Sequence, residues 1–255
     1  MTNIAVPSEG SDAAINMYKG QHSIFSLIIG ESGRGKTTSL RNLPPDQTHL
    51  INVTGKSLPF QSGLAYTTGK NMTVTARGPE IREVMKKVSK DESVEYLAVD
   101  DLHYIMATEF MDKATVGGYE KWNIMARNIW DLLVTASHLR PGLKVFLLTH
   151  EEETATGRKK MKTLGKLLDD KITPEGLAPI VLWSESEFVG ENDPPKYFFS
   201  TQTDGMTTAK SPMGMFPLRM DNDLLKVAAR IDEYYVGVDL KDSKVIHWSE
   251  SILAK

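Results

Sequence analysis

Apolar and polar positions alternate along the chain in short blocks that change period from strand to helix and back. Residues 23–29 (SIFSLII) form a continuous apolar run closed by Gly30, the pattern of a strand buried on both faces. A Gly-rich turn follows, and residues 36–43 read as a helix stopped by Pro44 and Pro45. Residues 49–53 (HLINV) suggest a second short strand. Between 54 and 78 the chain is rich in Gly, Thr and Ser, which predicts loop with at most a short strand. Residues 79–90 begin with Pro and Glu, end in lysines and place Ile81, Val84, Met85 and Val88 on one helical face. Residues 94–99 (VEYLAV) give a strand closed by Asp100 and Asp101. Residues 120–139 give a long helix with Trp122, Ile124, Met125, Ile129, Leu132, Leu133 and Ala136 on its apolar face. Residues 144–148 (KVFLL) give another strand, ending at Thr149 and His150. This alternation predicts an α/β fold, a mostly parallel central sheet with helices on both faces. The last third is less regular. Strands are expected at 179–183 and 197–200, a helix at 224–235 and a terminal hairpin around 244–248, which together make a C-terminal β extension. Residues 1–20 are polar and weakly patterned and read as a tail or docking arm; residues 21–255 read as one domain.

Composition narrows the function classes. Of 255 residues, 40% are hydrophobic and 25% charged, so neither a disordered chain nor a collagen-like fibre is expected. Thirty basic residues against 33 acidic give a net charge of −3, which argues against bulk electrostatic attachment to nucleic acid but leaves room for a local basic patch. With no cysteine there is no disulfide scaffold, thiolate metal site or thiol nucleophile. No apolar run approaches the roughly 18 residues of a membrane span, and the first twenty residues lack a basic-then-apolar signal pattern. The expectation is a cytoplasmic protein with no membrane partner.

The strongest chemical signal is residues 30–37, Gly30-Glu31-Ser32-Gly33-Arg34-Gly35-Lys36-Thr37, which fit G-x-x-x-x-G-K-[ST]. Glycines let successive backbone N–H groups turn inward on an anion. Lys36 supplies a point charge for β and γ phosphates, Thr37 a hard oxygen for Mg²⁺, and Thr38 continues the cradle. An apolar strand directly before and a helix directly after are the context this motif needs. Asp100, at the end of a buried-type strand, is the second candidate Mg²⁺ group, and Asp101 a candidate to polarise the attacking water. Thr149 and His150 close a strand that would face the γ-phosphate if it lay between the other two. His150 reads equally well as a sensor or as a solvated imidazole. After Glu151-Glu152-Glu153, the segment 154–171 carries Arg158, Lys159, Lys160, Lys162 and Lys166, a flexible basic loop suited to a phosphodiester backbone.

Taken together, GESGRGKTT, YLAVDD, VFLLTHEE and AKSPMGMFP resemble the RecA-like core of P-loop ATPases, and more narrowly the phage-encoded Sak-type single-strand annealing and recombination ATPases. The resemblance spans roughly residues 23–235. It implies ATP and Mg²⁺ as cofactors, DNA-stimulated hydrolysis, binding of single-stranded DNA, assembly into a ring or filament, cooperation with a single-strand DNA-binding protein, and a host-cytoplasmic setting. It implies roles for Lys36, Thr37 and Asp100 on phosphate and Mg²⁺, and for Thr149 and His150 as sensor. Lys210 becomes a finger reaching a neighbouring subunit's γ-phosphate. One departure stands out: the segment after the second strand, INVTGKSLPF, lacks the acid that RecA carries there. Either Asp101 substitutes for it or hydrolysis is slow. Two further readings remain, a P-loop nucleotide kinase and a nucleotide-gated interaction module with little hydrolysis.

Overall fold

The computed structural model describes residues 23–115, 120–164, 172–188, 190 and 193–236. Its framework is a nine-stranded sheet. The strands are β1 (Ile24–Gly30), β2 (Thr48–Asn52), β3 (Met72–Val74), β4 (Tyr96–Asp100), β5 (Lys144–Glu153), β6 (Lys159–Met161), β7 (Ile180–Glu187), β8 (Lys196–Ser200) and β9 (Arg219–Asp221). The helices are α1 (Gly78–Val88), α2 (His103–Asp112), α3 (Glu120–Ser137), α4 (Pro174–Leu177) and α5 (Leu224–Val236). Strand order is β3-β2-β4-β5-β1-β7-β8-β9, with β6 paired to the far end of β5. From β3 to β7 all neighbours are parallel; β8 and β9 add antiparallel strands at one edge. Strand β5 thus lies between β1 and β4, the position that the sequence reading required of the strand ending in Thr149 and His150.

Period-two alternation explains the two layers. In β1, Phe25, Leu27 and Ile29 face one side and Ile28 the other, all essentially without solvent contact. The first side joins Leu97, Val99, Val145 and Leu147 and is covered by Ile81 and Met85 of α1, Ile105 and Met106 of α2, and Met125, Ile129, Leu132 and Leu133 of α3. The second joins Leu50, Ala98, Phe146, Leu148 and Leu182 and is covered by Leu40, Leu43, Phe216 and, from α5, Leu224, Val227 and Ile231. A parallel sheet apolar on both faces needs both covers. α1 follows its sequence signals: Pro near its start, Glu80 in the first turn, Lys86 and Lys87 in the last. Arg82 of α1 reaches Asp131 of α3 at 2.6 Å and ties the two helices together.

Two local expectations are corrected. The helix expected at 36–43 is only a four-residue 3-10 turn, Thr37–Leu40. Thr37 and Thr38 are β-branched, the Ser39 hydroxyl bonds back to the Lys36 carbonyl, and Pro44 blocks continuation. The described part of the basic segment after β5, residues 154–164, is not simply loop: it returns as a hairpin in which Glu151, Glu152 and Glu153 stand opposite Met161, Lys160 and Lys159. Helix α2 and strand β9 were not anticipated. The expected tail at 1–20, the hairpin at 244–248, and Lys166 lie outside the described residues.

Candidate functional site

Three parallel strands deliver their C-terminal ends to one place. β1 ends at Gly30, β4 at Asp100, and β5 passes Thr149 and His150, with Gly30 and His150 in direct register. The loop leaving β1 needs glycine for two separate reasons. At Gly30 a Cβ would lie 2.6 Å from the Ser184 carbonyl oxygen of β7, so only a residue without one fits. At Gly35 the backbone is left-handed, φ 87°, and a Cβ would press on Tyr197 at 2.8 Å. Glu31, Ser32 and Gly33 form an exposed tip, whereas Lys36 and Thr37 are buried beneath it. Arg34 leans on β7, its guanidinium 3.0 Å from Ser186 Oγ, while Ser184 Oγ donates to the Arg34 carbonyl at 2.6 Å. Arg41 Nη1 donates to the Thr38 carbonyl at 3.1 Å and so braces the turn.

Lys36 Nζ donates to the carbonyls of Gly30 and Glu31, both at 2.9 Å. Burial lowers its pKa to about 8, against the opposing pull of Asp101 and Asp100. Thr37 Oγ1 lies 3.0 Å from each carboxylate oxygen of Asp100, joining two residues 63 positions apart. Asp100 has no solvent exposure, and burial followed by the neighbouring Asp101 charge pushes its pKa up to about 6. A hydroxyl and a carboxylate converging in a buried site form the hard-oxygen donor pair that Mg²⁺ takes. The ammonium beside them, satisfied only by neutral carbonyls, suits a phosphate. The residues therefore fit a magnesium-bound phosphate group.

Asp101 is the one residue other than glycine with positive φ among those described, at 68°. That conformation is tolerated by Asp and turns its carboxylate toward a cluster. Lys56 Nζ lies 2.5 Å from Oδ2, Thr54 Oγ1 donates at 3.2 Å, and His150 Nε2 stands 3.5 Å from Oδ1. Burial raises the carboxyl, but hydrogen bonds from His150 and Lys56 outweigh it and hold Asp101 well below the usual carboxylate range. An acid held so low is a weak proton acceptor. His150 also meets the edges of His103 and Tyr104, at centroid distances of 6.1 and 5.8 Å. Burial lowers His103 to about 4, and the positive charges of Lys162 and His150 add to the effect. Thr149 is fully buried and its hydroxyl has no hydrogen-bond partner among the described residues.

Of the remaining predicted residues, Lys162 borders this cluster and Lys159 feels the charges of Glu31 and Arg34. Lys210 is bridged through its backbone to Val181 of β7, level with Leu27 in mid-sheet, and its ammonium feels Glu175. Lys159 and Lys160 pair with Glu151 at 2.7 Å and Glu152 at 3.3 Å. Arg158 is exposed at the hairpin turn, and the Lys162 N–H bonds the His150 carbonyl. Sequence reasoning missed Lys56, Thr54, Tyr197, Ser184 and Asn222. Asn222 donates to Ser184 Oγ at 2.9 Å behind Gly35 and has a buried, unpartnered Oδ1. The one signal for Lys56 was its place in the loop after a parallel strand, where such sheets put ligand contacts, and its residue type alone added nothing to that.

No protein-family model and no curated protein sequence matches the chain. Among solved structures, a KaiC-like protein from the hyperthermophilic archaeon Pyrococcus horikoshii is 13% identical with a TM-score of 0.40, the match covering 70% of this chain and 78% of that one. Among the described residues no helix is long and apolar enough to cross a membrane.

Proposed function

We propose that this chain binds ATP with Mg²⁺ and hydrolyses it slowly. The observation that carries the reading is the convergence of buried Lys36, Thr37 and Asp100 at the ends of β1 and β4, with the Thr37 hydroxyl on the Asp100 carboxylate at 3.0 Å. Lys36 and backbone N–H groups of the turn after β1 hold the phosphates. Thr37 and Asp100 hold the ion, which when bound offsets charge on the phosphate oxygens. Thr149, His150 and Asp101 line the side facing the terminal phosphate. Asp101 orients groups around it; a carboxylate already committed to Lys56 and His150 is poorly suited to take a proton. This observation also supports the second reading, a nucleotide-gated module whose bound state matters more than its turnover.

We extend the reading to single-stranded DNA and to self-assembly as a ring or filament. Support for DNA is the β5–β6 hairpin, which begins at the sensor and exposes Arg158. Because Lys159 and Lys160 already have glutamate partners, Arg158 and Lys162 are the better candidates for backbone contacts. Lys210, bridged to Val181 of β7, is the candidate to reach a neighbouring subunit. A nucleotide kinase finds no Arg-rich lid among the described residues to support it. The test is nucleotide binding by calorimetry and ATPase rate with and without single-stranded DNA, for the wild type and Lys36→Ala. Binding that survives Lys36→Ala would refute the phosphate-loop assignment. A DNA affinity and salt slope unchanged by joint neutralisation of Arg158, Lys159, Lys160 and Lys162 would refute the DNA reading.

A further inference from the structure

The loop after β2 is built to deliver one cation to the phosphate site. Gly55 is left-handed, φ 69°, and its N–H bonds Asn52 Oδ1 at 2.9 Å. Asn52 Nδ2 bonds the Lys56 carbonyl at 2.8 Å. One side chain thus clamps both ends of a tight turn, and that turn lies level with Asp100, because Asn52 and Asp100 are in register. Lys56 leaves the turn half-exposed and ends on Asp101, which is almost fully buried. The Lys36 ammonium feels the Lys56 charge across the site. Two lysines and two aspartates therefore share one small region.

Their commitments differ. Lys36 is satisfied by neutral carbonyls, whereas Lys56 is spent on a carboxylate. Stripping a buried carboxylate of its partner is ordinarily costly. Here Asp101 has two others, the Thr54 hydroxyl and the His150 ring, so Lys56 can leave without abandoning a bare charge. Lys56 is also the most solvent-accessible member of the group and the one on the freest stem.

We propose that Lys56 is a nucleotide-sensing lysine: a terminal phosphate draws it off Asp101, and Asp101 then closes on His150 at the root of the β5–β6 hairpin. This rests on the phosphate-loop reading and deepens it. Lys56 then supplies positive charge to the γ-phosphate from within the same chain, beside Lys36. The Asp101–His150 contact is the link by which that event reaches strand β5, since His150 is paired to Gly30 on one side and its carbonyl holds Lys162 on the other.

The experiment measures Kd for ADP and for the non-hydrolysable triphosphate AMP-PNP, both with Mg²⁺, on the full chain. Hydrogen exchange over residues 149–162 is followed in each state. The wild type is expected to prefer AMP-PNP, and to change exchange in the hairpin with AMP-PNP but not ADP. Lys56→Met should lower the AMP-PNP preference by about tenfold or more, the size of one charge-assisted hydrogen bond, leave the ADP Kd within about twofold, and abolish the exchange response. Lys56→Arg should restore part of both. A Lys56→Met protein that keeps the wild-type preference and exchange response overturns the proposal while the phosphate loop stands. So does a wild type that binds both nucleotides equally. A wild type that binds neither removes the phosphate-loop reading itself, and this inference with it.

Discussion

Replacing Lys36 by methionine should stabilise the nucleotide-free protein near neutral pH and destabilise it in alkali. The ammonium is 6% exposed, and its pKa falls from 10.5 to about 8 because burial disfavours the charge. At about 1.4 kcal/mol per pH unit, that fall represents roughly 3 kcal/mol held against the folded state. Methionine fills similar space without the charge but gives up two hydrogen bonds to the Gly30 and Glu31 carbonyls, worth about 1 kcal/mol each. The net gain for Lys36→Met near pH 7 is about 1 kcal/mol. A lowered lysine pKa means that between about 8 and 10.5 the unfolded chain binds a proton the folded chain has shed. Wild-type stability therefore rises with pH across that window relative to the variant. By about pH 10 the order reverses, with Lys36→Met the less stable by roughly 1–2 kcal/mol. Urea unfolding followed by tryptophan fluorescence at about pH 7.5, 9 and 10, with chelator and no nucleotide, measures the difference directly. A difference that stays flat with pH would show that Lys36 is not desolvated as its surroundings require.

Asp100 works in the opposite sense: its raised pKa, about 6, means that falling pH protonates it and weakens any divalent ion it holds. Mg²⁺-dependent nucleotide affinity should drop below about pH 6 by calorimetry, and Asp100→Asn should remove both the Mg²⁺ dependence and that step. Gly35→Ala should lower the melting temperature by several degrees, since a left-handed alanine costs about 1–2 kcal/mol before its methyl meets Tyr197. An unchanged melting curve would contradict the described loop geometry. Thr149→Val removes a buried hydroxyl without a partner, so the nucleotide-free protein should gain up to about 1 kcal/mol in chemical unfolding. Any hydroxyl contact to a bound phosphate would show as a weaker stabilisation by AMP-PNP in the same variant.

The sheet core was written plainly in the sequence because each central strand is apolar on both faces, and only a sheet covered twice can bury them. The glycine-rich turn after β1 was equally plain, its spacing being fixed by backbone geometry. Helix α2 was not legible: it starts directly after a left-handed Asp101, has no side-chain cap at Leu102, and only three of its residues, His103, Ile105 and Met106, are buried. The hairpin was hidden because a run of three glutamates followed by lysines reads as solvated charge. Only cross-strand register turns it into paired charge. Lys56 escaped notice for a related reason. A lone lysine in a loop carries no pattern until the fold sets a carboxylate against it.

Strand β5 runs ten residues without a break, about 33 Å at strand rise. Its first half is clamped between β1 and β4, and its second half projects into the ribbon with β6. That ribbon is moored on its far side as well: the Lys159 N–H bonds the Met206 carbonyl at 2.7 Å and the Met161 N–H bonds Glu175 Oε1 at 2.7 Å. A tilt of β5 beside Gly30 would therefore be passed along the ribbon into the segments that carry Glu175 and Met206.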